Sequence, residues 1–166
     1  HMNTMNITDC RALPVYALIC AAGVGARAGG DVPKQYQAIN HQPMLWHTVR
    51  AFAQSPELTR VYVVISPNDG WFSDSIVPLI VQAGWMERID ILMVGGATRA
   101  ESVRNGLAEL DAALGEQDEA WVMVHDAARP CVSESAIVRL RDAVWMQATQ
   151  MAEKNIEWQT AGGILA

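Results

Sequence analysis

Short apolar runs alternate along the chain with segments in which apolar residues recur at helical spacing. Four short apolar runs rich in β-branched residues have the length of buried strands, and turn residues or aspartate follow each of them: residues 15–20, 60–66, 89–94 and 120–125. Between these runs, apolar residues recur every three or four positions, which predicts helices. The alternation predicts an α/β fold in which a mostly parallel sheet lies between helices on both faces.

Capping and breaking residues predict where the helices begin and end. Pro43 suits the first turn of a helix, and Pro78 is expected to kink or restart another. Thr98 and Glu101 form a capping-box pattern, and Ser133 suits the start of a long helix. The apolar residues expected on the core-facing sides of these helices are Leu45, Val49, Phe52, Phe72, Ile76, Leu79, Val103, Leu107, Leu110, Leu114, Ile137, Leu140, Val144 and Met151.

The composition is that of a globular protein with one domain. The 166 residues are 51% hydrophobic and 18% charged, and a chain of this length can bury roughly two-thirds of the surface that it exposes when unfolded. The net charge of −6 and the pI near 5.1 argue against a nucleic-acid or anionic-membrane surface. Local cations and backbone amides would therefore have to hold any anionic ligand.

Targeting and redox signals favour a cytoplasmic location. No apolar run reaches ~18 residues, and no segment resembles a secretion signal. Cys10, Cys20 and Cys131 are odd in number and lack metal-like spacing, so reduced thiols are expected, and the scattered histidines do not suggest zinc. Residues 1–13 are expected to be a tag remnant and a loose tail, followed by one α/β domain over residues 14–166.

The residues that follow the first apolar run are typical of a phosphate-binding loop. Gly23 and Gly25 lack Cβ atoms, so the backbone can turn sharply and its N–H groups can approach an anion. Arg27 supplies a forked donor and Lys34 a mobile point charge to the same loop. A strand, a glycine turn and two cations together suggest the binding of a nucleoside triphosphate.

Two familiar phosphate loops and a glycine loop without a ligand compete for this segment. Neither Gly23 nor Gly25 is placed for a Walker A loop. Residues 23–28 do fit the G-x-G-x-x-A pattern of a dinucleotide site, but glycines and a proline soon interrupt any helix. Residues 42–49 also contain no acidic residue that could bind a ribose. The dinucleotide site and the empty loop stay as alternatives.

Two further segments with unusual residues follow later strands of the predicted sheet. Gly95 and Gly96 start a turn that enters a helix carrying Ser102, whose hydroxyl could serve a ligand or its own i−4 carbonyl. Asp126 follows the last strand, and Arg129 comes three residues later. Because ligands of parallel sheets bind outside the carboxyl ends of the strands, all three segments are expected to meet at one edge.

The carboxylate at this edge is predicted to hold a metal ion. A carboxylate beside a triphosphate is normally bridged by a divalent cation, since the bare pair would repel. Asp126 is therefore predicted to hold Mg²⁺, and an aspartate that caps a turn is the alternative. Arg129 could clamp a second phosphate or pair with Asp126, and Arg99 is expected to support its loop or a neighbouring carboxylate.

The motifs around these residues are those of one known family. The chain resembles the 2-C-methyl-D-erythritol 4-phosphate cytidylyltransferases from residue 16 to 166, on AAGxGxR (21–27), PKQY (33–36), ISP (65–67), GGxxRxxSVxxGL (95–107) and VHDAARP (124–130). The resemblance implies a Rossmann-like three-layer sandwich of the nucleotide-diphospho-sugar transferase type. It also implies an enzyme of isoprenoid synthesis that transfers CMP from CTP to the methylerythritol phosphate and releases pyrophosphate.

The resemblance also implies a role for each candidate residue. Arg27 and Lys34 would be catalytic, since they would hold the triphosphate and stabilise charge at its α-phosphorus. Asp126 would hold Mg²⁺, and Arg129 would face the phosphate of the acceptor. The acceptor phosphate is already a nucleophile, so no general base is required. The residues implied to line the nucleotide site are Ala21, Ala22, Gly23, Gly25, Gly95, Gly96 and Ser102.

The chain departs from the family pattern at two places. Ala97 stands where members often carry aspartate, so a side-chain contact to the nucleotide is absent there. Residues 161–166 begin like a strand, but the chain stops where the family continues into acceptor contacts, a second cationic residue and a dimerisation arm. We therefore expect a C-terminally incomplete chain with little activity alone and a homodimer at full length. Ribitol 5-phosphate as the acceptor and a non-catalytic nucleotide-binding module are the alternatives.

Overall fold

The computed structural model describes residues 12–23, 31–115, 119–127 and 133–153. The predicted strands and helices in these ranges are confirmed, with small shifts at their ends. In chain order the elements are β1 (Val15–Cys20), a 3-10 turn (Lys34–Tyr36), β2 (Ala38–Ile39), β3 (Gln42–Pro43), α1 (Met44–Ala53), β4 (Arg60–Val64), α2 (Phe72–Ser75), α3 (Val77–Ala83), β5 (Ile89–Leu92), α4 (Arg99–Leu114), β6 (Trp121–Asp126) and α5 (Glu134–Glu153).

Four of the strands form one parallel sheet in the order β5-β4-β1-β6. Cys20, the last residue of β1, lies opposite Val64 on one side and Asp126 on the other. Val64 in turn lies opposite Leu92 of β5. The carboxyl ends of all four strands are therefore level, and the loops that follow them leave the sheet along one edge.

Helices cover both faces of this sheet, as the alternation of apolar runs with helical segments predicts. Ala17 and Ile19 of β1 face a core formed with α1, α3 and α5, whereas Tyr16 and Leu18 face a second core formed with α4. Strands buried on both faces read as continuous apolar runs, which is the pattern of residues 15–20. The side chains that pack in the two cores from the helices, and from the turn between α2 and α3, include Leu45, Val49, Phe52, Ile76, Ile80 and Ile137 on one face and Val103, Leu110 and Leu114 on the other.

Thr98 and Ser133 cap their helices as the sequence predicts, but the Glu101 carboxylate accepts the Ala97 N–H instead of the Thr98 N–H that a capping box requires. The Thr98 hydroxyl accepts the Glu101 N–H at 3.1 Å, and the Ser133 hydroxyl accepts the Ala136 N–H at 3.1 Å. Pro78 lies in the first turn of α3, so the apolar segment after Phe72 restarts as a second helix. No helix in the described part of the chain has both the length and the apolar character that a membrane span needs.

Two features differ from the sequence prediction. The strands β2 and β3 form a small antiparallel hairpin whose turn residues, Asn40 and His41, have φ values of 51° and 68°. Positive φ at both central residues is typical of two-residue hairpin turns, but Asn-His is a weak signal for one. Leu107 was expected to face the core, yet it is 37% exposed, and the buried Gly106 lies against the sheet in its place.

We predict that Gly106→Ala destabilises the fold although alanine favours helices. The added Cβ would lie 2.7 Å from Val64 Cγ2 and 3.0 Å from Leu18 Cδ1, and overpacking of this kind costs about 1–3 kcal/mol. The gain in helix propensity, about 0.5–1 kcal/mol, offsets only part of that cost. Urea denaturation should therefore give a lower free energy of unfolding.

Gly70→Ala is the matched control for this substitution. Nothing lies within 4 Å of a Cβ added at Gly70, so its free energy of unfolding should stay within about 0.5 kcal/mol of the wild-type value. A Gly106→Ala variant more stable than the wild-type chain would contradict the packing described for α4.

Candidate functional site

Three chain segments leave the carboxyl edge of the sheet and lie against each other. The Ala21 N–H donates to the Val64 carbonyl at 2.8 Å, and the Ala127 N–H donates to the Cys20 carbonyl at 2.9 Å. The Gly95 N–H donates to the Ile65 carbonyl, also at 2.9 Å. The structure thus places the segments after β1, β5 and β6 together at one edge, where the sequence places the candidate nucleotide site.

The segments after β1 and β5 touch at Ala22 and Gly95. A Cβ added to Gly95 would lie 2.3 Å from Ala22 Cβ and 2.9 Å from the Ile65 carbonyl oxygen. Because one of these neighbours is backbone, no side-chain rotation can make room. Glycine at position 95 is therefore required for the close approach of the two segments that would line a nucleotide.

The start of α4 is held by bonds within its own first turn. The Ser102 hydroxyl donates to the Thr98 carbonyl at 3.1 Å and accepts the Gly96 N–H at 3.0 Å. The Glu101 carboxylate accepts the Ala97 N–H at 3.1 Å. Ser102, which is 3% exposed, thus bonds its i−4 carbonyl, one of the two roles expected for it. The hydroxyl also fixes the Gly96 amide, and a direct contact with a ligand stays a prediction.

Asp126 forms an ion pair with Arg99 across the site edge. Arg99 Nε lies 2.6 Å from Asp126 Oδ1, so Arg99 supports a neighbouring carboxylate, as the sequence suggests. Burial raises the pKa of the Cys20 thiol to about 11; Arg99 lowers this pKa and Asp126 raises it, with smaller effects. The ion pair therefore joins the start of α4 to the end of β6, directly beside the end of β1.

The acidic residues at this edge suit one kind of metal site. The described residues contain no group of three or more histidine, cysteine, aspartate or glutamate side chains that could enclose a cation. Mg²⁺ in nucleotide sites is commonly held by one or two carboxylates together with phosphate oxygens. The partly exposed Asp126 carboxylate at a strand end fits that donor set, with substrate phosphates supplying the remaining oxygens.

Lys34 begins the 3-10 turn and is exposed to solvent. The next residue, Gln35, is buried, and its side-chain amide donates to the carbonyls of Ala21 at 3.2 Å and Gly23 at 3.4 Å. The turn that carries Lys34 is thereby fixed to the segment after β1. Sequence reasoning selected Lys34 from the PKQY motif and gave no role to Gln35, because a glutamine alone carries no chemical signal.

Tyr36 fixes the same turn to the loop that follows β4. Its hydroxyl donates to Asp69 Oδ2, and Asp69 Oδ1 accepts the N–H groups of Trp71 at 2.8 Å and Phe72 at 2.9 Å. The Tyr36 and Trp71 rings stack with centroids 6.2 Å apart. Burial and the Asp69 carboxylate raise the pKa of the Tyr36 hydroxyl. Sequence reasoning also missed this aspartate, because it lies among the turn residues that follow the second apolar run.

The remaining site predictions fall on residues that the structure does not describe. Gly25, Arg27 and Arg129 lie outside the described ranges, as do Cys10, Cys131 and the strand expected at residues 161–166. Their predicted roles stay predictions.

Comparison with known families and proteins agrees with these motifs. Residues 15–154 match the family model described as 2-C-methyl-D-erythritol 4-phosphate cytidylyltransferase. Proteins of that name are similar to this chain: one from Laribacter hongkongensis is 48% identical over 128 residues, covering 77% of this chain and 51% of its own length. One from Ralstonia nicotianae is 44% identical over 151 residues, covering 91% of this chain and 54% of its own length.

Solved structures show the same likeness. A 4-diphosphocytidyl-2C-methyl-D-erythritol synthase is 34% identical with a TM-score of 0.62, over 78% of this chain and 54% of its own. The 2-C-methyl-D-erythritol 4-phosphate cytidylyltransferase of Francisella tularensis is 32% identical with a TM-score of 0.56, over 78% and 51%. This chain thus spans about half the length of the curated relatives that it matches.

We predict that Tyr36→Phe destabilises the chain at pH 8 and that the difference shrinks above pH 10. A hydrogen bond to a charged group contributes about 1.5–3 kcal/mol, which the variant loses. The pKa of Tyr36 is raised in the folded state. Above pH 10 the unfolded wild-type chain therefore releases a proton that the folded chain keeps, which favours unfolding.

Urea denaturation at pH 8 and at pH 10.5 measures the free energy of unfolding of the wild-type chain and of Tyr36→Phe at each pH. Equal differences at the two pH values would show that the Tyr36 hydroxyl does not ionise differently in the folded and unfolded states.

Proposed function

Because the chain belongs to the 2-C-methyl-D-erythritol 4-phosphate cytidylyltransferase family, we propose that it forms the nucleotide-binding part of such an enzyme. The reaction would transfer CMP from CTP to 2-C-methyl-D-erythritol 4-phosphate and release pyrophosphate. One observation carries the proposal: the segments after β1, β5 and β6 meet at a single edge of the sheet. The exposed Lys34 and the carboxylate of Asp126 belong to segments that flank the end of β1.

Each group at this edge has a task in such a reaction. The backbone at Ala21–Gly23 and at Gly95 and Gly96 would bind the nucleotide without side-chain bulk. The Lys34 ammonium would stabilise negative charge that develops at the α-phosphorus, as Arg27 would. Asp126 would hold Mg²⁺, which would neutralise charge on the triphosphate. Arg129 would bind the phosphate of the acceptor.

Positioning and electrostatic stabilisation would carry the catalysis. The acceptor phosphate is a nucleophile as it stands, and pyrophosphate leaves without a proton from the protein. The protein would therefore need fixed cations and amides around the triphosphate rather than an acid–base pair. We further propose that the complete enzyme works in the cytoplasm as a homodimer; the odd number of cysteines without metal-like spacing supports reduced surroundings.

Pyrophosphate release from CTP tests the proposed reaction. It is measured with Mg²⁺ and either 2-C-methyl-D-erythritol 4-phosphate or ribitol 5-phosphate, on this chain and on the longest reading frame that contains it. We expect the methylerythritol phosphate to be the preferred acceptor. Preference for ribitol 5-phosphate would support the alternative acceptor, and CTP binding without turnover in both proteins would support a non-catalytic module.

We predict that Lys34→Ala nearly abolishes turnover in whichever of these proteins is active. Removal of a comparable preorganised donor costs about 3–4 kcal/mol of barrier, or roughly 100- to 1,000-fold in kcat. Arg50→Ala is the control, because Arg50 is an exposed cation in the last turn of α1, away from the site edge. A Lys34→Ala enzyme with the full rate would refute the catalytic role.

We predict that Asp126→Asn removes the effect of Mg²⁺ on CTP affinity. Asparagine keeps the shape of the side chain but loses the charge that a hard cation requires. Calorimetric titration of CTP with Mg²⁺ and with EDTA should give two different affinities for the wild-type chain and similar ones for the variant. Asp90→Asn is a matched control, since Asp90 is also a strand residue paired with an arginine, Arg60. An Asp126→Asn variant that responds to Mg²⁺ like the wild-type chain would exclude Asp126 as the metal ligand.

A further inference from the structure

We propose that Gln35 is a positioning residue for nucleotide binding: it fixes Lys34 and the backbone after β1 relative to each other. The proposal rests on the proposed function, since Lys34 and the segment Ala21–Gly23 are the groups assigned there to CTP. Gln35 is 7% exposed and lies between these two groups in space.

The side-chain amide of Gln35 has one orientation open to it. Its Nε2 atom lies 3.2 Å from the Ala21 carbonyl and 3.4 Å from the Gly23 carbonyl. Both partners only accept hydrogen bonds, so the NH₂ group must face them, and its two hydrogens can serve one carbonyl each. A single side chain thus bridges residues that are 14 and 12 positions away in the sequence.

This bridge determines where the backbone after β1 presents its amides. In a trans peptide the N–H points away from the preceding carbonyl. With the Ala21 carbonyl held by Gln35, the Ala22 N–H points away from Gln35. Gln35 therefore helps to set the direction of an amide that would face the nucleotide, together with the bond from the Ala21 N–H to the Val64 carbonyl and the contact of Ala22 with Gly95.

The hydrogen bonds of Gln35 also help to fix the position of the main chain at Lys34. The 3-10 turn is only three residues long, and its own backbone bonds, from Tyr36 to Pro33 at 2.9 Å and from Gln37 to Lys34 at 3.2 Å, are local. Tyr36 ties the turn to the loop after β4. Gln35 ties it to the segment after β1, and the Met44 N–H at the start of α1 donates to the Gln37 carbonyl at 2.9 Å, so these three contacts together locate the base of the Lys34 side chain.

A matched pair of substitutions tests this role. Gln35→Met keeps the length of the side chain and removes its hydrogen bonds. Gln37→Met makes the same change two residues away, where the amide is exposed and, among the described residues, donates to the nearby Val32 carbonyl at 3.2 Å. Preorganised binding groups raise affinity, so we expect calorimetry to show CTP–Mg²⁺ affinity lowered by about 10- to 100-fold in Gln35→Met, which loses two hydrogen bonds. Gln37→Met should bind like the wild-type chain.

Hydrogen exchange separates positioning from general destabilisation. In Gln35→Met, amides in peptides that cover residues 21–23 and 33–36 should exchange faster, while those of β4 (Arg60–Val64) should keep their wild-type rates. Faster exchange throughout the chain, or unchanged exchange of the hydrogen-bonded Ala21 and Tyr36 amides, would overturn the proposal.

Gln35→Glu adds a readout that a purely structural role would not give. When ionised, the introduced carboxyl repels the two carbonyls; when protonated, its O–H donates to one of them. CTP affinity relative to the wild-type chain at the same pH should therefore recover as the pH falls, whereas Gln35→Met should show no recovery. A constant relative affinity across pH would count against the bridge.

The same measurements distinguish failure of the proposed function from failure of the positioning role of Gln35. If the wild-type chain binds no CTP, the proposed function is wrong, and hydrogen exchange alone decides whether Gln35 holds the backbone after β1. If the wild-type chain binds CTP and Gln35→Met binds it equally well, the positioning role is wrong and the proposed function stands.

Discussion

The parallel register of β1 with its two neighbours is the constraint on which the site depends. Cys20 lies level with Val64 and with Asp126, so the segments that follow three strands leave the sheet side by side. Both faces of β1 are buried, and a slip by one residue would exchange Ala17 and Leu18 between the two cores. The packing of the cores thus fixes the position along the strand direction at which the candidate binding groups lie.

Beyond the strand ends, polar side chains add to the apolar contacts that fix the loops to each other. Gln35 joins the 3-10 turn to the segment after β1, and Tyr36 joins the same turn to Asp69. Arg99 joins the start of α4 to Asp126 at the end of β6. Hydrogen bonds and an ion pair thus connect segments that are far apart in the sequence.

Local patterns predicted most of the elements, although not the β2–β3 hairpin, and they did not show which distant residues those elements contact. The strand runs, the cap at Thr98 and the restart at Pro78 are set by short-range physics, which a sequence displays directly. The contact of Gly106 with Leu18 and Val64 depends on how closely a helix approaches the sheet, which periodicity does not show. Likewise the bridge made by Gln35 spans distant residues, so only the folded chain reveals it.

The contact between Ala22 and Gly95 also has an evolutionary consequence. The two positions share one volume, because a methyl group on the second would overlap the methyl group on the first and a main-chain oxygen. A lineage could therefore accept a bulkier residue at either place only after the main chain of both loops had moved apart. A change to a larger residue at one of these two positions is therefore coupled to a change at the other.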